Sequence, residues 1–498
     1  MDITLAKETV LETRCDLLVL WMLKDAKEPQ KPFSDVDAAL NNHLAELIRE
    51  DHFKGVVGEK IVLSAFGRIK AKKIAVIGLG EKRAGIDSLR KAGGYAAKLA
   101  HELKAKRVAV VLPLIGLDAE PSSCAFAEGM RIAAYAFEEH FGTGRTGKKE
   151  KIEEVMIVGV ERSFIKQVER GLERARILAE SVDAARHLVN LSPRHMRPMD
   201  LAEAAQALVT RGNGITCKIY NREQMEHMGM GAALAVGEGS VHQPVCIHLT
   251  YKPKKKARRI VTVIGKGVTF DSGGLSLKPA DSMVNMKIDM GGAASVIGLF
   301  RALPQLNIPV EVHGVFIAVE NMPSGHAYRP GDVVKAMNGM TIEILNTDAE
   351  GRVVLADALS YTVKKIKPDV MIDLATLTGA ALIALGDDCT AVMSNDRNLA
   401  KDILHAAKQS GELMWELPLI PHYDDALKSH VADVNNTGGR AAGAIKGGLF
   451  LKRFAADIPW AHLDIAGPVF CEKEYRPDIP YGATGVGVRT LIAYLEQK

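Results

Sequence analysis

Charged residues stand in unexpected places in the second half of this sequence, inside apolar and glycine-rich stretches. Lys266 and Asp271 lie in VIGKGVTFDSGG (263–274), which otherwise has the composition of a buried strand. Lys278 follows this stretch, and Asp289 stands just before two glycines and a predicted helix. A charged group is costly to bury without a partner, so these residues are the first candidates for a functional site.

A second group of charges lies in EILNTDAEGRVVLADALSYTV (343–363). Its first residues predict a strand, and its later apolar residues recur with the helical period, which predicts an amphipathic helix. Asp348, Glu350 and Arg352 therefore occupy the loop between a strand and a helix. In open α/β sheets, ligands bind at the carboxyl ends of the strands, where such loops lie.

Each of these residues also has a purely structural interpretation. Asp348 and Asp289 could cap helices or face their dipoles, and Lys266 and Asp271 could form an ordinary ion pair. However, four carboxylates gathered in one pocket would repel one another, and some would protonate unless cations were bound. Oxygen-rich clusters of this kind suit divalent metals, so a metal site is the functional alternative.

The composition is that of a soluble globular protein, with 498 residues, 47% hydrophobic and 25% charged. The formal net charge of +4 is too small to imply a nucleic-acid partner. The six cysteines form no CxxC pair, which disfavours a cysteine-based zinc site and is typical of a reducing compartment. No signal peptide is recognisable, and the apolar runs at 17–23 and 374–386 are shorter than the ~20 residues of a membrane span. We therefore expect a cytoplasmic protein with no membrane partner.

Several common enzyme signatures are absent or incomplete. GLGEKRAG (78–85) resembles a dinucleotide-binding loop, but Arg83 stands where the third glycine is needed. His101 and Glu102 begin an HExxH pattern that ends at Ala105 instead of histidine. Neither a GxSxG elbow nor a GxxxxGK[ST] phosphate loop occurs, which disfavours the commonest hydrolase and nucleotide-binding classes.

The pattern of predicted elements indicates an α/β protein in two parts, because short β-rich runs alternate with helical stretches. Strands are predicted at 17–23, 73–80, 107–114 and 154–160, with a helix at Asp87–Lys104, and again at 260–268, 310–319 and 369–377 with helices between. A long helix over Ser163–Val189 ends near two prolines. We predict an N-terminal α/β domain (1–162), a linker helix (163–192) and a larger C-terminal α/β domain (193–498) with a central mixed sheet flanked by helices.

The charged segments together resemble the leucyl aminopeptidase family, also called the cytosol aminopeptidase family. NTDAEGR is the signature of that family, and the resemblance extends over VIGKGVTFDSGG, SLKPADSMVNMKIDMGGAASV, NMPSGHAYRPGDVV, DLATLTGA, NNTGGRAAGAIKGGLFL, PWAHLDIAGP and YGATGVGVRTL. It covers roughly residues 180 to 498, whereas the N-terminal third, expected to be macro-like, carries no comparable signature. His195, where relatives often carry Asn, and Lys446, where Thr is common, depart from the family pattern and bear on substrate preference.

The resemblance implies a peptidase that binds two divalent metal ions, Mn or Zn, in its C-terminal domain. It implies that Asp271 and Glu350 bridge both metals, that Asp348 binds one of them, and that Asp289 and Lys266 bind the other, more exchangeable one. Lys278 would polarise the scissile carbonyl, and Arg352 would hold a bicarbonate that acts as general base. The resemblance places Leu377 and Gly379 along the substrate cleft, and Met286, Thr376 and Ala466 near its side-chain pocket.

The charges of such a site would balance, because two dications cancel four carboxylates. Lys266 must be neutral to bind a metal, since an ammonium has no lone pair, and adjacent dications would depress its pKa. The excess charge of Lys278 and Arg352 would then stabilise bicarbonate and the developing oxyanion. The hypothesis is that a metal-bridging hydroxide attacks the N-terminal peptide bond of peptides, preferably after Leu or another apolar residue.

Two other functions remain open from the sequence. A DNA-binding regulatory or architectural protein, with or without peptidase activity, is suggested by the basic runs KPKKKARR (252–259) and GRTGKKEK (144–151), although solvated surface is the favoured interpretation of both. A catalytically inactive scaffold is disfavoured, because every expected ligand position carries the expected residue type. The resemblance also implies a homohexamer built as a pair of trimers.

Overall fold

The chain forms two compact units in the computed structural model, which describes residues 1–24, 32–81, 85–113, 117–144 and 151–497. The first unit contains Met1–Glu180 and Lys473–Pro480, and the second contains Ser181–Glu472 and the chain from Tyr481 onward. The division falls within a helix at Ile165–Asn190, which confirms the long helix predicted over Ser163–Val189. The predicted domain boundaries at 162 and 193 stay predictions.

A six-stranded sheet with helices makes up the first unit. Its strands are β1 (Asp2–Leu5), β2 (Cys15–Leu23), β3 (Lys60–Ser64), β4 (Ala71–Gly80), β5 (Arg107–Val111) and β6 (Glu154–Val158). Its helices are α1 (Phe33–Ala39), α2 (His43–Glu50), α3 (Ile86–Glu102), α4 (Ala119–Ala134) and the first part of α5 (Ile165–Asn190). The strand order is β1-β6-β5-β2-β4-β3, and all neighbours are parallel except β3 and β4.

The four strands predicted in this region are confirmed as β2, β4, β5 and β6, and the predicted helix is α3. Strand β5 ends at Val111, three residues before the predicted end, and Leu114 lies outside the described residues. The central strands are almost wholly apolar because parallel strands are buried on both faces. Leu17, Leu18 and Val19 of β2, for example, have no exposed surface.

The second unit carries the larger sheet and most of the helices. Its strands are β7 (Ile215–Tyr220), β8 (Val245–Tyr251), β9 (Ile260–Asp271), β10 (Glu311–Asn321), β11 (Val333–Lys335), β12 (Thr341–Glu343), β13 (Val370–Ala375), β14 (Cys389–Ser394), β15 (Leu413–Glu416), β16 (Val434–Asn435), β17 (Trp460–Asp464), β18 (Phe470–Cys471) and β19 (Gly482–Ala483). Its helices are α6 (Pro198–Gln206), α7 (Arg222–Met228), α8 (Gly231–Gly237), α9 (Ala280–Met283), α10 (Gly291–Leu306), α11 (Glu350–Tyr361), α12 (Gly379–Leu385), α13 (Arg397–Ser410), α14 (Gly443–Lys452) and α15 (Val488–Glu496).

The main sheet of this unit is mixed, in the order β15-β14-β17-β13-β9-β10-β8-β7. Its four central strands, β17, β13, β9 and β10, run parallel, whereas β14 is antiparallel to β17 and β8 is antiparallel to β10. The predicted strands at 260–268, 310–319 and 369–377 are confirmed as β9, β10 and β13. This arrangement confirms the predicted fold class, and it brings the carboxyl ends of four strands to one edge.

Helices cover both faces of the sheet at β9. Successive side chains of a strand point to opposite faces, so Gly265 and Lys266 face different helices. A Cβ on Gly265 would lie 2.5 Å from the backbone nitrogen of Ala293 in α10, which shows how closely that helix approaches. On the other face, a Cβ on Gly351 of α11 would lie 2.5 Å from Cε of Lys266. Glycine at these positions therefore allows both helices to pack directly on the strand that carries the lysine.

None of the helices in the described ranges is long and apolar enough to cross a membrane. The basic run 252–259 lies in the connection between β8 and β9, where Lys254, Lys255 and Lys256 are exposed. These two strands are not neighbours in the sheet, so the run is a solvated loop and not a hairpin. In the other basic run, residues 145–150 lie outside the described residues.

Candidate active site

The carboxyl edge of the main sheet borders a cleft of about 980 Å³ in the second unit. Strands β9, β13 and β17 lead into it, and the loop before α11 closes one side. All twelve residues singled out from the sequence line this cleft: Lys266, Asp271, Lys278, Met286, Asp289, Asp348, Glu350, Arg352, Thr376, Leu377, Gly379 and Ala466. Tertiary structure thus brings together residues that are up to 200 positions apart in the sequence.

Two lysines and four carboxylates form the centre of the cleft. Nζ of Lys266 lies 2.8 Å from Oδ1 of Asp289 and 2.8 Å from Oε1 of Glu350. Nζ of Lys278 lies 2.8 Å from Oδ2 of Asp271 and 2.5 Å from Oδ1 of Asp348. We call this group the acidic centre; it consists of Lys266, Asp271, Lys278, Asp289, Asp348 and Glu350.

The ordinary ion pair between Lys266 and Asp271 that the sequence allowed is wrong. Although both residues belong to β9, each pairs with groups from other segments. Lys266 points towards α11 from within the strand, whereas Asp271 is its last residue and meets Lys278 from the following loop. Which residues form ion pairs in this site therefore depends on which segments pack together in the fold, and not on proximity in sequence.

The helix-capping interpretations of Asp348 and Asp289 are also wrong. The residue at the N-cap of α11 is Ala349, and the residue at the N-cap of α10 is Met290. Asp289 instead lies in a short 3-10 helix at Met286–Met290, and its Oδ1 accepts a hydrogen bond of 2.7 Å from the hydroxyl of Thr376. Both carboxylates line the cleft, where their partners are lysines.

The acidic centre has oxygen atoms that fit divalent cations. Asp271, Asp348 and Glu350 each offer a carboxylate oxygen, and these oxygens lie within 4.8 Å of one another. Oδ2 of Asp289 and Oε2 of Glu350 are buried and have no hydrogen-bond partner in the described part of the chain. A buried oxygen without a partner costs free energy, which a bound cation would offset.

The electrostatics of the acidic centre show an excess of negative charge. Burial raises the pKa of Asp271, Asp289 and Asp348, and repulsion from neighbouring carboxylates adds to the effect. Burial alone would lower the pKa of Lys266 and of Lys278, but attraction to the surrounding carboxylates raises both. Carboxylates that keep a raised pKa beside two ammonium groups need more positive charge, which divalent cations would supply.

Arg352 lies on α11 near this centre and is almost completely buried. Its Nη1 donates hydrogen bonds to the backbone carbonyls of Asn436, at 3.0 Å, and Thr437, at 3.4 Å. Burial lowers the pKa of this guanidinium, although Glu350 and Asp464 attract its charge. Because both of these acceptors are neutral carbonyls, the guanidinium can also bind an anion in the cleft.

Sequence reasoning missed several polar residues that support the site. Asn321, at the end of β10, donates from Nδ2 to Oδ1 of Asp271 at 2.8 Å and to the carbonyl of Thr347 at 2.9 Å. The hydroxyl of the buried Tyr328 donates to the same carbonyl at 2.8 Å. These residues hold the loop before α11 against β9. Asn321 lies two residues beyond the end of the strand predicted at 310–319, and a polar residue near a strand end was the available signal for it.

A cleft at the carboxyl edge of the sheet is where open α/β proteins bind their ligands. The carboxylates of this cleft suit cations, and its lysines and buried arginine suit anionic groups. The chain belongs to the cytosol aminopeptidase family. The catalytic domain of that family matches residues 183–492, and its N-terminal domain matches residues 19–140. This confirms the resemblance that the motifs indicated.

Curated relatives and solved structures agree with this membership. A probable cytosol aminopeptidase of Trichormus variabilis is 42% identical over 497 residues, and the alignment covers 99% of each chain. The corresponding protein of Gloeobacter violaceus is 41% identical over 495 residues, with 97% of each chain covered.

Two solved structures have closely similar folds. A mutant of tomato leucine aminopeptidase has a TM-score of 0.89 at 35% identity and covers 100% of this chain and 97% of its own. The bottromycin maturation enzyme BotP in complex with Mn has a TM-score of 0.84 at 34% identity and covers 97% of this chain and 99% of its own.

Proposed function

We propose that this protein is a dimetal aminopeptidase that removes the N-terminal residue, preferably Leu or another apolar residue, from peptides. The observation that carries the proposal is the acidic centre, in which four carboxylates and two lysines converge in one cleft. Membership of the cytosol aminopeptidase family supports the reaction class.

Five side chains of the acidic centre would hold the metals, Mn or Zn. Asp271 and Glu350 would bind both ions, Asp348 would bind one, and Asp289 with Lys266 would bind the other. The buried oxygens of Asp289 and Glu350 that have no hydrogen-bond partner support this assignment. Bound cations supply a Lewis acid and a water of lowered pKa in such sites.

We assign to Lys278 the role of polarising the scissile carbonyl. Its Nζ lies between Asp271 and Asp348 and is partly exposed to the cleft, so it can donate to an oxygen atom of the substrate. Negative charge grows on that oxygen as the tetrahedral species forms. An ammonium fixed at this position stabilises the transition state more than the ground state.

We assign to Arg352 the binding of an anion, a bicarbonate that would act as general base. The backbone carbonyls of Asn436 and Thr437 fix its guanidinium at the wall of the cleft. A bicarbonate held there would supply general-base chemistry, and the role of Arg352 is to bind and orient it.

The substrate's first side chain would lie against Met286, Thr376 and Ala466, with Leu377 and Gly379 along the cleft. These five residues line the same cleft as the acidic centre. Thr376 also contacts the centre directly, because its backbone carbonyl accepts a hydrogen bond of 3.1 Å from Nζ of Lys266. The free α-amine would then face the metal ligands, which restricts cleavage to N-terminal residues.

Hydrolysis of a panel of aminoacyl anilides tests this proposal. The protein is treated with a chelator, refilled with Mn or Zn, and assayed with and without added bicarbonate. We expect activity only after refilling, highest for leucyl and other apolar substrates, and stimulated by bicarbonate. A protein that takes up metal but hydrolyses no substrate with either ion would overturn the assignment.

From the family resemblance, we also propose that the protein forms a homohexamer and that it is cytoplasmic. Size-exclusion chromatography with light scattering would test the hexamer. DNA binding is not favoured, because the basic run at 252–259 has the exposure of an ordinary solvated loop. A gel-shift assay at increasing salt concentration would test this alternative, since phosphate contacts weaken steeply with salt.

A further inference from the structure

Asp464 is a buried carboxylate that contacts residues of the cleft wall, and none of the roles above is assigned to it. It is the last residue of β17 and has no exposed surface. Its partner across the parallel pair is Ala375, the last residue of β13. Because the two strands end at the same level, the loops that follow them leave the sheet side by side.

One carboxylate joins these two loops. Oδ1 of Asp464 accepts hydrogen bonds from the backbone N–H groups of Leu377 at 3.1 Å, Ala466 at 3.2 Å and Thr378 at 3.4 Å. Oδ2 accepts a hydrogen bond of 2.7 Å from the hydroxyl of Thr378. Leu377 and Ala466, on different loops, both line the cleft.

The same carboxylate also fixes the helix that follows. The hydroxyl of Thr378 accepts a hydrogen bond of 3.1 Å from the N–H of Ala381 and so caps α12. Gly379 and Leu382 of that helix line the cleft. At the other end of α12, a Cβ on Gly467 would lie 2.5 Å from the carbonyl oxygen of Gly386, so the loop after β17 packs tightly there.

The four hydrogen bonds that Asp464 accepts all come from neutral donors. An asparagine side chain could keep the three backbone bonds through its oxygen, and its amide nitrogen could replace the bond from the Thr378 hydroxyl by donating to that hydroxyl. The charge of Asp464, by contrast, acts at longer range on Arg352. The two contributions of the carboxylate can therefore be separated by substitution.

Resting on the proposed aminopeptidase function, we propose that Asp464 is the positioning residue that sets the width of the side-chain pocket. By holding the loop that carries Thr376 and Leu377 against the loop of Ala466 through hydrogen bonds, it determines the preference for a bulky apolar N-terminal residue over a small one. A pocket whose walls are free to separate loses contacts with a large side chain and keeps most of those with a small one.

The test compares Asp464→Ala with Asp464→Asn in the full-length, metal-loaded protein. The readout is the ratio of kcat/KM for leucyl and alanyl anilides, with kcat and KM resolved. We expect Asp464→Ala to lower the ratio by about tenfold, mainly through a higher KM for the leucyl substrate, and Asp464→Asn to keep the wild-type ratio.

Asp369→Ala is the matched control. Asp369 also accepts a hydrogen bond from a backbone N–H, that of Ile260 at 2.7 Å, but it precedes β13 at the opposite edge of the sheet. This variant should lose stability without any change in the ratio. Thr378→Val removes the hydroxyl's bond to Asp464 and its cap on α12 but keeps the backbone bonds to Asp464. It should lower the ratio less than Asp464→Ala, and it provides the test if that variant does not fold.

Two results would overturn the inference. An unchanged ratio in Asp464→Ala and Thr378→Val would show that the pocket does not depend on these bonds. An equal loss in Asp464→Ala and Asp464→Asn would show that the charge matters and not the hydrogen bonds. A wild-type protein that hydrolyses neither anilide would instead refute the proposed function itself.

Discussion

Two clusters of charge in this molecule, one in each unit, show what distinguishes a structural ion-pair network from a functional one. In the first unit, Nη2 of Arg476 lies 2.7 Å from Asp87 and 2.9 Å from Asp478, and Lys91 lies 3.2 Å from Asp87. We call these four residues the Arg476 cluster. Its two cations meet two carboxylates, whereas the two lysines of the acidic centre meet four.

The carboxylate pKa values of the two clusters are shifted in opposite directions, because the ratio of cations to carboxylates differs between them. Burial alone would raise the pKa of Asp87, but attraction to Arg476 and Lys91 lowers it below the ordinary value. In the acidic centre the pKa of Asp271 is raised, although Lys278 and Lys266 both attract its charge. Buried charge is thus not in itself a sign of function; an uncompensated excess of one sign is.

Glu350→Gln is the variant for which we expect the largest effect on activity, and it tests whether the acidic centre is functional. If Glu350 binds both metals, the amide should lower kcat by about a hundredfold to a thousandfold and reduce the metal content. Activity on a leucyl anilide and metal analysis after dialysis measure both effects. Glu226→Gln, an exposed residue paired with Arg222, is the matched control and should behave as wild type. Full metal content together with full activity in Glu350→Gln would contradict the proposed centre.

Lys278→Met tests whether a lysine of the acidic centre does more than neutralise charge. We expect kcat to fall by about a hundredfold, with a smaller change in KM, because the ammonium acts on charge that develops in the transition state. Steady-state kinetics on metal-loaded protein provide the measurement. If Lys278 were only a counter-ion, the variant would lose stability while its kcat stayed close to that of wild type.

Arg476→Met tests whether the Arg476 cluster is purely structural, and it has the smallest expected effect on activity. Asp478 is buried, so the loss of its partner should cost on the order of 3 kcal/mol of stability while kcat on a leucyl anilide stays unchanged. The lowered pKa of Asp87 contributes stability above the unfolded pKa, about 3.9, and this contribution is lost as the pH falls through the folded value. The gap in Tm between wild type and variant should therefore narrow below about pH 4.

Thermal unfolding at neutral and acidic pH measures that gap. Arg329→Met is the control, since Arg329 forms an exposed pair with Asp332 and should contribute little. A gap that stays constant over this pH range would show that Asp87 does not depend on Arg476 for its pKa.

The elements that carry the site could be predicted because their signals are local. The apolar runs of β9, β10 and β13 and the helical period of α11 appear in short stretches of sequence, and the structure confirms each of these elements. The position of NTDAEGR between strand and helix followed from the same patterns. Their convergence on one cleft was also expected, because parallel strands end at a common edge.

Pairings between segments were not predictable in this way. Lys266 and Asp271 lie five residues apart but have different partners, and Asp348 is one residue away from the N-cap position that its type favoured. Asp464, the last residue of β17, gave no signal of its own, since no strand was predicted there. Its role depends on Ala375 being its neighbour in β13.

The sequence by itself determined the fold class, the main strands and helices, and the six charged residues of the acidic centre, because periodicity and residue type are properties of the chain. Only the tertiary structure decided which lysine meets which carboxylate and which buried carboxylate ties two loops together. Those contacts depend on strand order and register, which are set by packing between segments distant in the sequence.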